Sequence, residues 1–156
     1  METQMPSVSE QHKKMAELAG TWIGEDTLMP SPWLPAGATA VGNITARLAL
    51  GEFHLIVDWA QSRDGKLHFE GHGVLGWDSR GKCYTMHWFD SIGAPPKGVG
   101  TGRWEGDCLT LDEASPMGHH RHIHRFEGDR TYHFRIETSQ DGQFYVPMME
   151  GQYTRQ

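Results

Sequence analysis

From residue 20 onward, apolar and polar side chains alternate with the two-residue period of β-strands. Phe53, Leu55, Val57 and Trp59 hold every second position, and so do Tyr84, Met86 and Trp88. Turn signals interrupt the alternation at Arg63-Asp64-Gly65, Asp78-Ser79-Arg80-Gly81, Gly93-Ala94-Pro95-Pro96, Glu105-Gly106-Asp107, Glu127-Gly128-Asp129 and Gln140-Asp141-Gly142. The segments between them predict about ten strands, over 21–29, 38–49, 53–62, 66–77, 82–90, 98–104, 107–113, 119–127, 130–138 and 143–154. Ahead of the strands, Met15 and Leu18 share one face of a short helix predicted over 8–19. Ser7 and Glu10 read as its capping box and Gly20 as its stop. Residues 1–7 read as a flexible tail, and the Pro-rich stretch 30–37 as a loop able to cover one end.

Short turns between sequential strands make neighbours antiparallel. An open meander of ten strands would expose two edges, and closure removes them. The expected fold is therefore all-β: one closed, up-and-down antiparallel barrel over residues 1–156, wide enough to keep a cavity. A three-residue loop at 63–65 sets Leu55 opposite Gly73, Val57 opposite Gly71 and Trp59 opposite Phe69. A four-residue loop at 78–81 sets Leu75 opposite Tyr84, Gly73 opposite Met86 and Gly71 opposite Trp88. Both put the apolar residues on one face, assigned to the interior.

The other face of these three strands is polar. In the same registers Asp58 opposes Glu70 and His72 opposes His87. These four residues are either candidate catalytic acid/base groups or ordinary pairs on a solvated face.

Residues 118–126, GHHRHIHRF, hold four of the chain's ten histidines. Strand alternation divides them. His120, His122, His124 and Phe126 share a face with Tyr132, Phe134 and Ile136 of the following strand; His119, Arg121 and Arg125 share the other with His133 and Arg135. Three arginines are expensive to bury, so their face points out and His122 and His124 point in. A loop at 127–129 sets His124 opposite Tyr132 and His122 opposite Phe134. Two imidazoles at i, i+2 contact an interior ligand or water, or hold a metal if a third ligand comes from elsewhere.

Composition narrows the function classes. The chain carries 14 Lys and Arg against 20 Asp and Glu, a formal charge of −6, with no basic run longer than Lys13-Lys14. This excludes a nucleic-acid surface. Hydrophobic content is 37% and mean hydropathy −0.58, a lean supply of core that suits a barrel with space inside. No 18-residue apolar run or signal-peptide pattern is present, and Cys83 and Cys108 lack C-x-x-C spacing. The expected setting is the cytoplasm, away from membranes, with both thiols reduced. Nucleophile-elbow, P-loop and H-E-x-x-H motifs are missing, and Gly98-Val99-Gly100-Thr101-Gly102 reads as a strand short of side chains, leaving room in the cavity.

Gly20-Thr21-Trp22 after a short helix resembles the G-x-W signature of the calycins, which include lipocalins and fatty-acid-binding proteins. Together with Ser31-Pro32-Trp33, Gly71-His72-Gly73-Val74-Leu75-Gly76-Trp77-Asp78 and Tyr84-Thr85-Met86-His87-Trp88-Phe89-Asp90, it resembles a bacterial calycin-like family of unknown function, DUF1579-type, along nearly the whole chain. The resemblance implies a ten-strand barrel with Trp22 packed at its base. The related nitrobindins carry ferric haem in a similar barrel. Their first-strand motif G-x-W-x-G-x-G is matched at Gly20, Trp22 and Gly24, but Asp26 stands where the last Gly would be. Their haem-ligating His lies near the C-terminus, whereas no His follows His133 here.

The leading expectation is a module that binds a small hydrophobic or amphipathic ligand through Trp22, Trp59, Met86, Trp88, His122, His124, Tyr132 and Phe134. The alternatives are a haem or zinc protein using His122 and His124, and an enzyme using Asp58, Glu70, His72 and His87. Large apolar residues on both faces leave a homodimer open.

Overall fold

The computed structural model describes residues 4–95, 98–115 and 118–156. Residues 1–3 of the expected tail and Pro96 of the expected Gly93–Pro96 turn lie outside the described residues. A helix α1 (Glu10–Lys14) runs into a 3₁₀ turn (Met15–Leu18). Ten strands follow: β1 (Gly20–Leu28), β2 (Ala38–Ala49), β3 (His54–Arg63), β4 (Lys66–Asp78), β5 (Cys83–Asp90), β6 (Gly100–Glu105), β7 (Cys108–Ser115), β8 (Gly118–Glu127), β9 (Thr131–Ser139) and β10 (Val146–Arg155). Each strand pairs antiparallel with its sequence neighbours, and β1 pairs with β10 to close the barrel.

The helix starts two residues later than the sequence pattern indicates. Ser9 rather than Ser7 is the N-cap, and its N–H donates to His12 Nδ1 at 3.0 Å. The helix then plugs the end of the barrel where β1 begins. Met15 and Leu18 are buried in the core, Tyr84 donates its hydroxyl to the Gln11 carbonyl at 2.8 Å, and Trp22 donates its indole N–H to the Leu18 carbonyl at 2.9 Å. Trp22 is fully buried, edge-on to Tyr132, with the Arg155 guanidinium over its other face. This end is closed. The opposite end carries the β1–β2, β5–β6 and β9–β10 loops.

All three expected hairpin registers are displaced by two residues, so each strand keeps its face. Between β3 and β4 the turn is the two-residue Asp64-Gly65, both at positive φ (51° and 74°), and a bulge between Gln61 and Ser62 adds a further step. Leu55 therefore opposes Leu75, Trp59 opposes Gly71, and Asp58 opposes His72 rather than Glu70. Between β4 and β5 the loop occupies 79–82, ending on Lys82 at φ 55°, so Gly73 opposes Trp88 and His72 opposes Phe89 rather than His87. Between β8 and β9 the loop starts at Gly128 (φ 66°), which sets His124 opposite Phe134 and His122 opposite Ile136.

Two close approaches shape the interior. The Trp88 indole lies flat over β4 at Gly71 and Gly73; a Cβ on Gly71 would come within 2.1 Å of its ring. The Tyr153 ring lies in the same way over Gly24 and Gly42. Aromatic bulk from one strand thus occupies the volume that glycines on the next leave free.

Gly71→Val is expected to lower stability by about 1–3 kcal/mol through overpacking. The check is the urea midpoint; an unchanged midpoint would mean that the indole packs elsewhere.

Candidate functional site

The interior is filled unevenly. On the β1, β2, β3 and β10 side, Tyr153, Met149, Gln61 and Asp26 are all buried. Asp26 Oδ2 accepts hydrogen bonds from the Tyr153 hydroxyl at 2.7 Å and Gln61 Nε2 at 2.8 Å. Its Oδ1 has no partner and lies against Gly151, where a Cβ would approach to 2.1 Å. Burial raises the Asp26 pKa, and the two hydrogen bonds partly oppose that rise. The residue that departs from the G-x-W-x-G-x-G pattern is therefore a polar plug inside the barrel.

The rest of the interior, between β2–β3 and β5–β9, keeps space. A chamber of about 70 Å³ is lined by Ile44, Ala46, Val57, Leu109 and Leu111, by Met86, Gly100 and Phe134, and by Trp59, Trp88, Tyr132, His122 and His124. Four of the lining residues, Trp59, Trp88, Glu113 and His122, also border a vestibule of about 190 Å³ towards the loop-bearing end. The vestibule adds Phe69, Phe89, Asp90, Ile92, Pro95, His120, Ile136 and Met148. The 30–37 loop lies at this end with Trp33 exposed, but does not contribute to the vestibule lining.

Seven of the eight expected ligand-contact residues, Trp59, Met86, Trp88, His122, His124, Tyr132 and Phe134, line the chamber. Trp22 does not; it packs behind Tyr132 at the closed end. Glu113 was missed by the sequence reading. Its strand alternates inward at Leu109 and Leu111, so the period-two rule places Glu113 inward too, opposite His120. The GHHRHIHRF strand divides as alternation requires. Arg121 points out and is held by Asp112 at 3.1 Å, with the Tyr145 ring 3.8 Å from its guanidinium. Arg135 points out to Glu150 and Glu137.

The inward imidazoles are neutral at physiological pH. Burial, reinforced by His120, pushes His122 down to about 4; burial, reinforced by His122, pushes His124 down to about 3. His124 Nδ1 is buried without a hydrogen-bond partner, and an interaction of the ring with the Leu109 backbone partly opposes the downward shift. A neutral imidazole offers an unprotonated nitrogen as an acceptor.

The four acid/base candidates do not converge. His72 Nδ1 donates to Asp58 Oδ1 at 2.6 Å, but both side chains are about half exposed. They lie with Glu70 and Ser91 in a shallow outer groove to which His87, on the outer face opposite Val74, does not contribute. Among the described residues, no three His, Cys, Asp or Glu side chains stand together to hold a metal ion. Haem does not fit the chamber: at about 70 Å³ it is smaller than the roughly 150 Å³ apolar cavity known to take a benzene, and the last strand, Val146–Arg155, offers no histidine.

Closed ten-strand topology, a helix-plugged base and an interior cavity define a calycin-like barrel. The chain belongs to the DUF1579 family, described as proteins of unknown function, whose pattern it matches over residues 7–155. No curated protein matches the sequence. Rv2717c from M. tuberculosis is similar in structure, with a TM-score of 0.71 at 17% identity over 96% of this chain and 99% of that one. CPES, an S-type phycobiliprotein lyase from Guillardia theta, is similar with a TM-score of 0.60 at 11% identity over 97% of this chain and 98% of that one. These likenesses show the shared fold. Among the described residues no helix is long and apolar enough to cross a membrane.

The imidazoles set a pH dependence. Below pH 6.5 the unfolded chain protonates histidines that the folded chamber keeps neutral. Stability is therefore full above pH 6.5 and is lost as pH falls towards about 4 and then about 3. His124→Phe is expected to lose less stability than the wild type between pH 7 and 4.5, measured as the shift in urea midpoint. Equal losses would place His124 in contact with bulk water.

Proposed function

We propose that this protein is a binding module that holds a small, partly apolar organic ligand inside the barrel, entering at the end opposite the helix. The observation that carries this reading is the pair of neutral, inward imidazoles, His122 and His124, in an otherwise apolar and aromatic chamber. The unpaired Nδ1 of His124 costs about 1–3 kcal/mol in such surroundings, and native interiors keep few such atoms outside functional sites. The contact set is Trp59, Met86, Trp88, His122, His124, Tyr132 and Phe134, with Trp22 bracing the floor from behind. A chamber of about 70 Å³ is far below the roughly 300–1,000 Å³ of drug-sized pockets, so the enclosed part of the ligand is small.

The outer Asp58–His72 pair supports catalysis less well, because both side chains are about half exposed in a shallow groove shared with Glu70 and Ser91, which does little to exclude water. Two unpaired thiols, Cys83 and Cys108, favour a reducing compartment, in keeping with the cytoplasm.

Gly100 provides the test. It lines the chamber, and a Cβ there would sit 3.6–3.7 Å from its nearest neighbours, in ordinary van der Waals contact. Native mass spectrometry of freshly purified wild type is expected to show a retained small molecule. Gly100→Val should lose it at an unchanged urea midpoint. Wild type with no retained mass, or a variant that keeps it, would contradict interior binding.

A further inference from the structure

The two inward imidazoles stand at different depths. His122 borders both the vestibule and the chamber, whereas His124 borders the chamber alone. They are two residues apart on β8, about 7 Å along the strand. His124 Nδ1 is buried and unpaired. A neutral imidazole carries one N–H and one bare nitrogen, so the pair presents both donors and acceptors. A hydroxyl matches both kinds, because it donates and accepts. An ether oxygen only accepts, and an ammonium only donates. A second unpaired nitrogen of the lining, the Trp59 indole N–H, interacts with the Tyr153 hydroxyl.

A charged ligand finds no unengaged counter-charge at this depth. Among the described residues no lysine or arginine lines either cavity. Asp112 borders the chamber, but its carboxylate is held on the outer face by Arg121. Glu113 and His120 are each engaged within the protein. Asp90, in the vestibule, accepts the Trp88 indole N–H at 3.1 Å and the Ile92 backbone N–H at 3.0 Å. A charge taken to His124 would therefore lose its hydration without a replacement.

Volume sets the other half of the ligand. At about 190 Å³ the vestibule exceeds the roughly 150 Å³ that takes a benzene, whereas the chamber, at about 70 Å³, takes only a slender arm. Water could meet the imidazoles, but it would leave the vestibule's apolar lining uncovered. Phe89 and Ile92 there are 52% and 75% exposed. An apolar body of about one ring covers them and lies beside Trp59, Trp88 and Phe69.

Resting on the interior-binding reading above, we infer that the ligand is a neutral alcohol, its apolar body of about one ring in the vestibule and its hydroxyl carried on a short arm into the chamber, where it bonds the imidazoles of His122 and His124. The vestibule then selects for size and the chamber for an uncharged O–H.

Three probes separate the terms, each a single ring with a short arm: 2-phenylethanol; its isomer benzyl methyl ether, which has no O–H; and 2-phenylethylammonium, which carries a charge in place of the hydroxyl. Each is titrated by calorimetry into the full chain at pH 7.5, with Gly100→Val as the control for chamber entry. The alcohol is expected to bind about fivefold tighter than the ether, and the ammonium weakest. His124→Phe and His122→Phe should each shrink the alcohol's advantage while leaving the ether within about twofold. In the wild type, the imidazole nitrogen signals of His124, read by NMR, should move on adding the alcohol. Unmoved signals, or ether or ammonium binding as tightly as the alcohol with Gly100→Val still weakening all three, would overturn the alcohol assignment and leave interior binding standing. Failure of all three to bind, or binding indifferent to Gly100→Val, would overturn both.

Discussion

Closure of the β1–β10 seam is the constraint on which the rest of the barrel depends. Seven residue pairs, from Trp22–Arg155 to Leu28–Met149, join the first strand to the last. Arg155 anchors the seam: its guanidinium covers Trp22 and donates to the backbone carbonyls of Glu17, Ala19 and Asp129. One side chain thereby ties the helix end, the first strand and the β8–β9 turn to the final strand. An open ten-strand sheet would expose two edges and have no interior; closed, it converts its period-two alternation into an inside and an outside.

The inside is then divided between filling and space. Tyr153 over Gly24 and Gly42, with Asp26, Gln61 and Met149, occupies one side. The Trp88 indole over Gly71 and Gly73 forms a wall on the other, and what remains is the chamber. The lean apolar composition is consistent with this arrangement, because part of the interior is polar and part is unfilled. A buried carboxyl at Asp26 is supported by two hydrogen bonds and a raised pKa rather than by a counter-charge.

Much of this was legible in the sequence because faces are more robust than registers. The turns at 78–81 and 127–129 have the expected lengths but are displaced by one residue, because Lys82 and Gly128 take the positive-φ positions. Sliding a loop by one residue moves the pairing by two and leaves every side chain on its face. Pairings named one by one, such as Asp58 with Glu70 or His72 with His87, were lost; the inward placement of Trp59, Met86, Trp88, His122 and His124 was kept. Trp22 carries the same inward signal as the chamber residues, and the pattern along one strand does not say how high in the barrel a side chain sits. Glu113 could have been found by extending the Leu109, Leu111 alternation by one step, but an acidic residue in a strand reads as outward on composition. Asp26 stood out only as a departure from a motif, since its partners come from strands 35 and 127 residues away.

The indole of Trp88 gives this wall a property that backbone would not have. It is a single side chain hinged at its Cβ, bedded on two glycines and latched at its far edge by one hydrogen bond to Asp90. Enlarging the chamber therefore takes rotation about side-chain bonds and release of one latch, with no ladder bond of the sheet broken. The latch oxygen belongs to a carboxylate that also borders the vestibule. The wall of the chamber and the rim of the vestibule are thereby mechanically linked through one side chain.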